Sequence, residues 1–286
     1  MAIRSMALAC LCLMVAGQAR SQAEFALPPG QVSFTPIRIG ADKGRVVRFL
    51  KARSRTPAPL VIFLDDWEKP GRRYAEATIG LSDMLRARGI AFALVPADRY
   101  GRDQGAEVAQ AIAALKARAG ELEIDLSRVA VVGEGLGAAY AALIATDPRR
   151  AAAAGLALSD IRTVILLDGY CYDVEQCFRV ATPRRLASLR KDLPEDAPSR
   201  AALSALRYAG QPNVASIYLH FDPRSPQRLE GDAMAAALRS GGQDLTLSSA
   251  LMRFDQHAGV DTIQRERPNA NSGSMIDFLA KRLDVR

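Results

Sequence analysis

Short apolar runs alternate with amphipathic segments along most of this 286-residue chain, and this alternation restricts the fold more than any other feature. Between the runs lie segments with apolar residues at helical spacing, such as Leu81 and Leu85. Strands that alternate with helices predict right-handed crossovers and a mostly parallel sheet covered by helices on both faces. The runs predicted as buried strands are LVIFLDD, IAFALVPA, RVAVVG, TVILLDG and ASIYLHFD.

Two further strand-like runs, VSFTPIRI and RVVRFLKA, lie on either side of the turn GADKG near the start of the chain. They predict an antiparallel hairpin, which makes the sheet mixed. The region 171–214 contains several prolines and shows no clear period. We interpret it as a small cap over the carboxyl edge of the sheet, where ligands of such folds bind.

The first 23 residues have the pattern of a secretory signal peptide, with Arg4 followed by an apolar run and small residues. The apolar run is too short to span a bilayer. Its removal would leave residues 24–286 as a single α/β domain in a secreted or periplasmic protein, with no stable membrane insertion. An uncleaved membrane anchor is the alternative interpretation.

The charge and the cysteines restrict the partners and the chemistry. The formal net charge is +7, but Lys and Arg are mixed among acidic residues, so we expect no nucleic-acid partner. Cys171 and Cys177 are six residues apart and either form a disulfide in an oxidising compartment or remain two thiols. With only two histidines in the chain, the sequence predicts neither a metal nor another cofactor.

A glycine-rich turn joins a strand to a helix in RVAVVGEGLGAAYAAL. A dinucleotide-binding turn would belong to the first βαβ unit, whereas this turn follows several earlier strands. A nucleophile elbow, the strained turn that presents a catalytic serine, needs small residues two positions before and after the nucleophile. Gly133 and Gly137 meet that need, so Gly135 stands at the position of the nucleophile.

An acid and a base follow this turn in the order that a catalytic triad of this type requires. Asp222 comes directly after the strand-like run IYLH, and His257 follows another predicted strand, LTLSSALM. Each therefore falls at a strand end, on the edge of the sheet where the elbow also lies. His220, inside the predicted strand, is interpreted as structural.

These segments together resemble the α/β-hydrolase superfamily, near its esterase/lipase-like branch of feruloyl-esterase-like and carboxylesterase-like proteins. The resemblance covers nearly all of residues 58–284 and implies an α/β-hydrolase fold and ester hydrolysis. It also implies Asp222 as the acid, in the DP…P motif, and His257 as the base, in the H-x-G motif. The segments that carry it are SRVAVVGEGLGAAYAALIA, VILLDGYCYDV, LHFDPRSP…AMAAALRSGG and DQHAGV.

The chain departs from this family pattern at two places. Gly135 offers no nucleophile, and the neighbouring Glu134 points elsewhere on such a turn. The family's His-Gly-Gly-Gly-like loop, which helps to form the oxyanion hole, is replaced by DDWEKPG. We expect a binding region formed by the altered loop and the elbow, with the residues Asp65, Asp66, Trp67, Glu134 and Leu136.

Three interpretations follow from these departures. The first is a pseudo-hydrolase that binds a small ester, acyl or aromatic ligand, or a protein partner through the cap. The second is an active ester hydrolase in which His257 and Asp222 activate water directly. The third, an engineered Ser→Gly variant, is disfavoured because one change would not alter both places. A metal site on Asp65, Asp66 and His257 is a weak further hypothesis.

Overall fold

The computed structural model describes residues 33–39, 46–65, 72–95, 104–211, 214–221, 228–248 and 270–285, and eight strands within them form one sheet. In spatial order the strands are β1-β2-β4-β3-β5-β6-β7-β8, with β2 antiparallel to both neighbours and the remaining pairs parallel. Their bounds are β1 Thr35–Arg38, β2 Val46–Leu50, β3 Ala58–Leu64, β4 Ala91–Val95, β5 Ile124–Glu134, β6 Ile161–Leu167, β7 Ile217–His220 and β8 Leu245–Ser248.

The predicted buried strands and the antiparallel hairpin are confirmed, and one strand is longer than predicted. Strand β5 begins at Ile124, because Ile124 and Asp125 pair with the start of β3 before the register shifts. The run RVAVVG then continues the ladder against the apolar part of β3. The long β5 carries the chain through the middle of the sheet to its carboxyl edge.

The helices lie on both faces of the sheet, as predicted. Helices α1 and α10 pack on one face through residues such as Leu81 and Leu279. Helices α2, α4 and α9 pack on the other face, with Ile112 and Met234 among their buried residues. The helix bounds are α1 Arg72–Ala87, α2 Gln104–Ala117, α3 Ala119–Leu122, α4 Leu136–Thr146, α5 Pro148–Ala153, α6 Val174–Val180, α7 Pro183–Asp192, α8 Ala197–Ala202, α9 Arg228–Ser240 and α10 Ala270–Arg282.

Helix α4, which follows the glycine-rich turn, is buried along its whole length. Its many alanines let the backbone approach β3, β5 and β6 closely. A helix that is apolar all round has no solvent-facing side, which is why it belongs to the core. The turn that begins it is therefore held by packed structure on several sides.

The region 171–214, for which the sequence shows no period, contains the three short helices α6, α7 and α8. Each begins at a polar residue whose side chain accepts a hydrogen bond from a backbone N–H of the first turn. These residues are Asp173, Thr182 and Asp196. Helices α6 and α8, with seven and six residues, are too short to show an apolar period. The cap function of this region stays a prediction.

Within the parts of the chain described above, no helix combines the length and the apolar character needed to cross a membrane. Residues 1–23, the predicted signal peptide, lie outside those parts. The division into a signal peptide and one domain stays a prediction.

Candidate functional site

The glycine-rich turn lies at the carboxyl end of β5, between that strand and helix α4. Gly135 precedes the helix with φ 58° and ψ −119°, a conformation that side-chain-bearing residues adopt only under strain. Its backbone N–H donates to the carbonyl of Leu167 on β6, over 3.0 Å. A strained strand-to-helix turn of this kind is the geometry of a nucleophile elbow.

Gly133 and Gly137 must be glycine for this turn to close. A Cβ atom on Gly133 would lie 2.3 Å from the carbonyl oxygen of Gly137. A Cβ atom on Gly137 would lie 2.2 Å from the carbonyl oxygen of Leu64 at the end of β3. Both clashes are with backbone atoms, which cannot rotate away. Steric contact in the folded chain therefore explains why these two positions need glycine.

Asp65, the first residue after β3, lies directly beside the elbow. A Cβ atom on Gly137 would also lie 2.8 Å from the carbonyl oxygen of Asp65, so the Asp65 backbone contacts the start of α4. The Asp65 side chain is half-buried. The structure thus places the Asp65 backbone beside the first turn of α4, two residues from Gly135, and the binding role of Asp65 stays a prediction.

Asp65 has a positive neighbour that the sequence did not indicate. Arg48 on β2 lies in one cross-strand row with Leu94 and Phe63, two residues before Asp65. Burial lowers the pKa of Arg48, and the negative charge of Asp65 opposes that shift. The Asp65 charge is therefore partly balanced across the sheet.

The two residues beside Gly135 are both enclosed. Glu134 is the last residue of β5, pairs in register with Leu167, and is fully buried. Leu136 is the first residue of α4 and is also fully buried. Neither side chain has exposed surface. Their binding roles stay predictions.

The loop after β6 forms the other side of this edge of the sheet. Asp168 and Cys171 both have positive φ, at 44° and 59°. A Cβ atom on Gly169 would lie 2.0 Å from the Tyr172 hydroxyl and 2.8 Å from the Ala138 side chain. The loop is therefore a tight turn that packs Tyr172 against the first turn of α4.

Cys171 and Cys177 form a disulfide, with a Cα–Cα distance of 5.0 Å. This selects the bridge from the two alternatives that the sequence left open. The bridge joins the tight turn after β6 to helix α6. Both cysteines are buried, so the bridge is part of the core beside the candidate site.

We expect reduction of this bridge to lower the free energy of unfolding by about 2 kcal/mol, the value for a short loop. The effect is measured as the change in the Tm of the wild-type protein when a non-denaturing reductant is added. A Cys171→Ala/Cys177→Ala double variant is the control, and its Tm should not respond to reductant. A wild-type Tm that does not change on full reduction would contradict a stabilising bridge.

Glu230, on the first turn of α9, is a site residue that sequence reasoning missed. Its carboxylate accepts the backbone N–H of Tyr172 over 3.0 Å and so ties α9 to the turn after β6. Burial raises the pKa of Glu230 to about 7, opposed by the backbone N–H groups of Tyr172 and Cys171 and by the Arg185 charge. No local motif marks this glutamate, because its partner lies 58 residues away.

Four of the predicted site residues, Asp66, Trp67, Asp222 and His257, lie outside the described residues. Their roles stay predictions, as does the weak metal hypothesis that used two of them. The described residues contain no group of three or more His, Cys, Asp or Glu side chains able to hold a metal.

His220 is buried in the sheet, and its structural role stays a prediction. This histidine ends β7, and its Nδ1 lies 3.1 Å from the Ser248 hydroxyl oxygen on β8.

Solved structures of esterases are similar to this chain over nearly its whole length. Esterase B from Lactobacillus rhamnosis is 17% identical with a TM-score of 0.70, covering 97% of each chain. Thermogutta terrifontis esterase 2, phosphonylated by sarin, is 14% identical with a TM-score of 0.65, covering 89% of this chain and 94% of its own. A thermophilic carboxylesterase cloned from a metagenomic library is 15% identical with a TM-score of 0.65, and the match covers 96% of this chain and 97% of the carboxylesterase.

No family model matches the sequence, and no curated protein matches it. The structural similarity and the strand order define the class: the chain has the α/β-hydrolase fold, with a mostly parallel eight-stranded sheet. The fold that the resemblance implied is therefore confirmed.

Proposed function

We propose that this protein binds a small ester, acyl or aromatic ligand at the carboxyl edge of its sheet without serine-esterase chemistry. The observation that carries the proposal is Gly135, which has the backbone geometry of the elbow and no side chain. An acyl-enzyme forms on a hydroxyl or thiol at such a turn. Glycine supplies neither, so the turn contributes to the fold and not to covalent catalysis.

The residues beside Gly135 offer no replacement nucleophile. Glu134 is a carboxylate with no exposed surface, and a fully buried group cannot reach a substrate. Leu136 is apolar and equally buried. Covalent catalysis at this turn would need a reactive group that these neighbours do not provide.

The loop after β3 supports the same conclusion. An oxyanion hole stabilises negative charge with backbone or side-chain donors aimed at the developing oxyanion. Here Asp65 follows β3 and its backbone lies beside the start of α4. The family's loop has a glycine where this chain has Asp65, which brings a negative charge, partly balanced by Arg48, to the residue after β3. The nucleophile position and the oxyanion loop of the usual serine-esterase chemistry are therefore altered together.

The proposed location is the periplasm or the exterior of the cell, after removal of residues 1–23. A disulfide between Cys171 and Cys177 supports an oxidising compartment, because such bridges are rare in reducing ones. A protein partner that contacts region 171–214 is the other ligand class that the proposal allows.

Binding without turnover is tested by adding 4-nitrophenyl acetate, butyrate and octanoate to the full-length mature protein. We expect at least one ester to raise Tm by mass action while no nitrophenolate is released above a protein-free blank. Release that depends on His257 and Asp222 would instead support direct activation of water. Absence of a Tm shift with all three esters would contradict this ligand class.

A Gly135→Ser variant separates the loss of the nucleophile from the change in the loop after β3. Gly135→Ala is its matched control. Both variants carry the same backbone strain, of about 1–3 kcal/mol, so they differ only in the hydroxyl. An intact triad is worth about a millionfold in kcat, yet we expect the serine variant to stay within about tenfold of the alanine variant. Initial rates with 4-nitrophenyl butyrate measure this. A rate a thousandfold above the alanine control would show that the loop after β3 still supports catalysis.

A further inference from the structure

A cavity among the described residues lies far from the elbow, at the opposite end of helix α4. It is open to solvent, has a volume of about 650 Å³, and is bordered by three arginines, Arg149, Arg150 and Arg207, together with Asp147 and Tyr208. Helix α4 has 11 residues between the two places. At a rise of about 1.5 Å per residue, the cavity lies roughly 16 Å from the glycine-rich turn. It is therefore separate from the site proposed above.

The cavity carries more positive than negative charge. Asp147 is buried, and two hydrogen bonds of 2.9 Å from Arg149 hold its carboxylate. The Nε of Arg150 lies 3.9 Å from the same carboxylate, so two cations share one anion. Arg207 is exposed and adds a third cation. Three arginines and one carboxylate leave an excess of two positive charges.

Two of the arginines are held in place before any ligand arrives. The Arg149 guanidinium lies over the Tyr208 ring, 5.6 Å from its centroid, while it also contacts Asp147. Arg150 donates from Nη2 to the carbonyl of Ala202 over 3.3 Å. A guanidinium has five N–H donors, so both arginines keep donors beyond those used in these contacts. A preorganised donor set binds an anion at a smaller entropic cost.

We propose that this cavity binds the phosphoryl group of a phosphate monoester. The excess of two charges matches a doubly charged head group, and the guanidinium N–H groups not used by Asp147 or Ala202 can donate to phosphate oxygens. The volume exceeds what a bare phosphate needs and lies within the range of small-molecule sites. Ala153, Ala202 and the Tyr208 ring supply apolar surface for an organic body attached to the phosphate.

Phenyl phosphate is the soluble probe, titrated calorimetrically into the full-length mature protein at low ionic strength. We expect Arg207→Ala to weaken binding by about tenfold or more, as for loss of a hydrogen bond to a charged group. Arg207→Lys should recover part of the loss. The matched control is Arg53→Ala, which removes an exposed arginine beside helix α1 on the other face of the sheet. Benzenesulfonate, with one charge, should bind more weakly than phenyl phosphate.

Equal weakening by Arg207→Ala and Arg53→Ala would overturn the proposal, because it would show only a general effect of net charge. No binding of phenyl phosphate, and none to vesicles that contain phosphatidic acid, would overturn it as well. Binding to the vesicles alone, lost in Arg207→Ala, would support it and identify a lipid head group as the source. Binding of soluble phenyl phosphate, lost in the same variant, would identify a soluble phosphate ester.

Discussion

Replacement of Gly137 by alanine is expected to lower the free energy of unfolding by about 3 kcal/mol or more, the upper range for overpacking. The new Cβ atom would lie 2.2 Å from the Leu64 carbonyl oxygen, which belongs to the central strand β3. Backbone atoms of a central strand cannot move without breaking the sheet ladder. A loss of this size corresponds to a fall in Tm of roughly 10 °C, which calorimetry or circular dichroism measures.

Gly120→Ala is the matched control for this substitution. Gly120 lies in helix α3, and a Cβ atom there would have no atom within 4 Å. Alanine should therefore leave the stability unchanged or raise it slightly, through the smaller entropy of the unfolded chain. Equal stability of the Gly137 and Gly120 variants would show that the elbow does not close as tightly as described.

The second large effect is a loss of stability with rising pH that depends on Glu230. Its pKa is raised from 4.5 to about 7, chiefly by burial, so the folded protein keeps a proton that the unfolded chain loses between these values. The contribution of this group to stability, about 3 kcal/mol, is therefore fully present below pH 4.5 and is lost as the pH rises through 7. Urea unfolding at pH 5 and pH 8 measures the change.

Glu230→Gln removes the proton equilibrium and keeps an oxygen that can accept the Tyr172 N–H. We expect the variant to gain stability relative to the wild type as the pH rises from 5 to 8. Glu195→Gln, at an exposed glutamate, should follow the wild type at both values. The same pH dependence in the Glu230 variant and the wild type would assign the effect to other groups.

The sheet could be predicted from the sequence because its signals are local. Each buried strand is a short apolar run between turn residues, and the turn with Gly133 and Gly137 carries its steric requirement within five residues. The fold class followed from the order of these segments. Strand β5 exceeded its prediction at the start, where pairing with β3 extends the ladder over polar residues such as Asp125.

Several short helices were missed although a signal was present. Helices α5, α7 and α8 begin with a capping Asp or Thr followed within two residues by proline, as in Asp147-Pro148 and Thr182-Pro183. Such a pair marks a helix start even when the helix is too short for an apolar period. The caps were the informative feature in region 171–214, and the period was not.

The missed features of the candidate site depend on distant pairs. Glu230 holds the backbone of Tyr172, and Arg48 balances Asp65 from two strands away. Nothing in the local sequence of either residue indicates its partner. Such contacts can be inferred only when the sheet order is known, which explains why the partners of Asp65 and Glu230 were not predicted.

The proposal of an elbow without a nucleophile is tested most directly by ester turnover. Purified wild-type protein and His257→Ala are compared with 4-nitrophenyl butyrate under identical conditions, with the early time course recorded for an acyl-enzyme burst. We expect the two proteins to release nitrophenolate at the same rate, without a burst, because Gly135 cannot form an acyl-enzyme. A wild-type rate far above that of His257→Ala, preceded by a burst, would contradict the proposal.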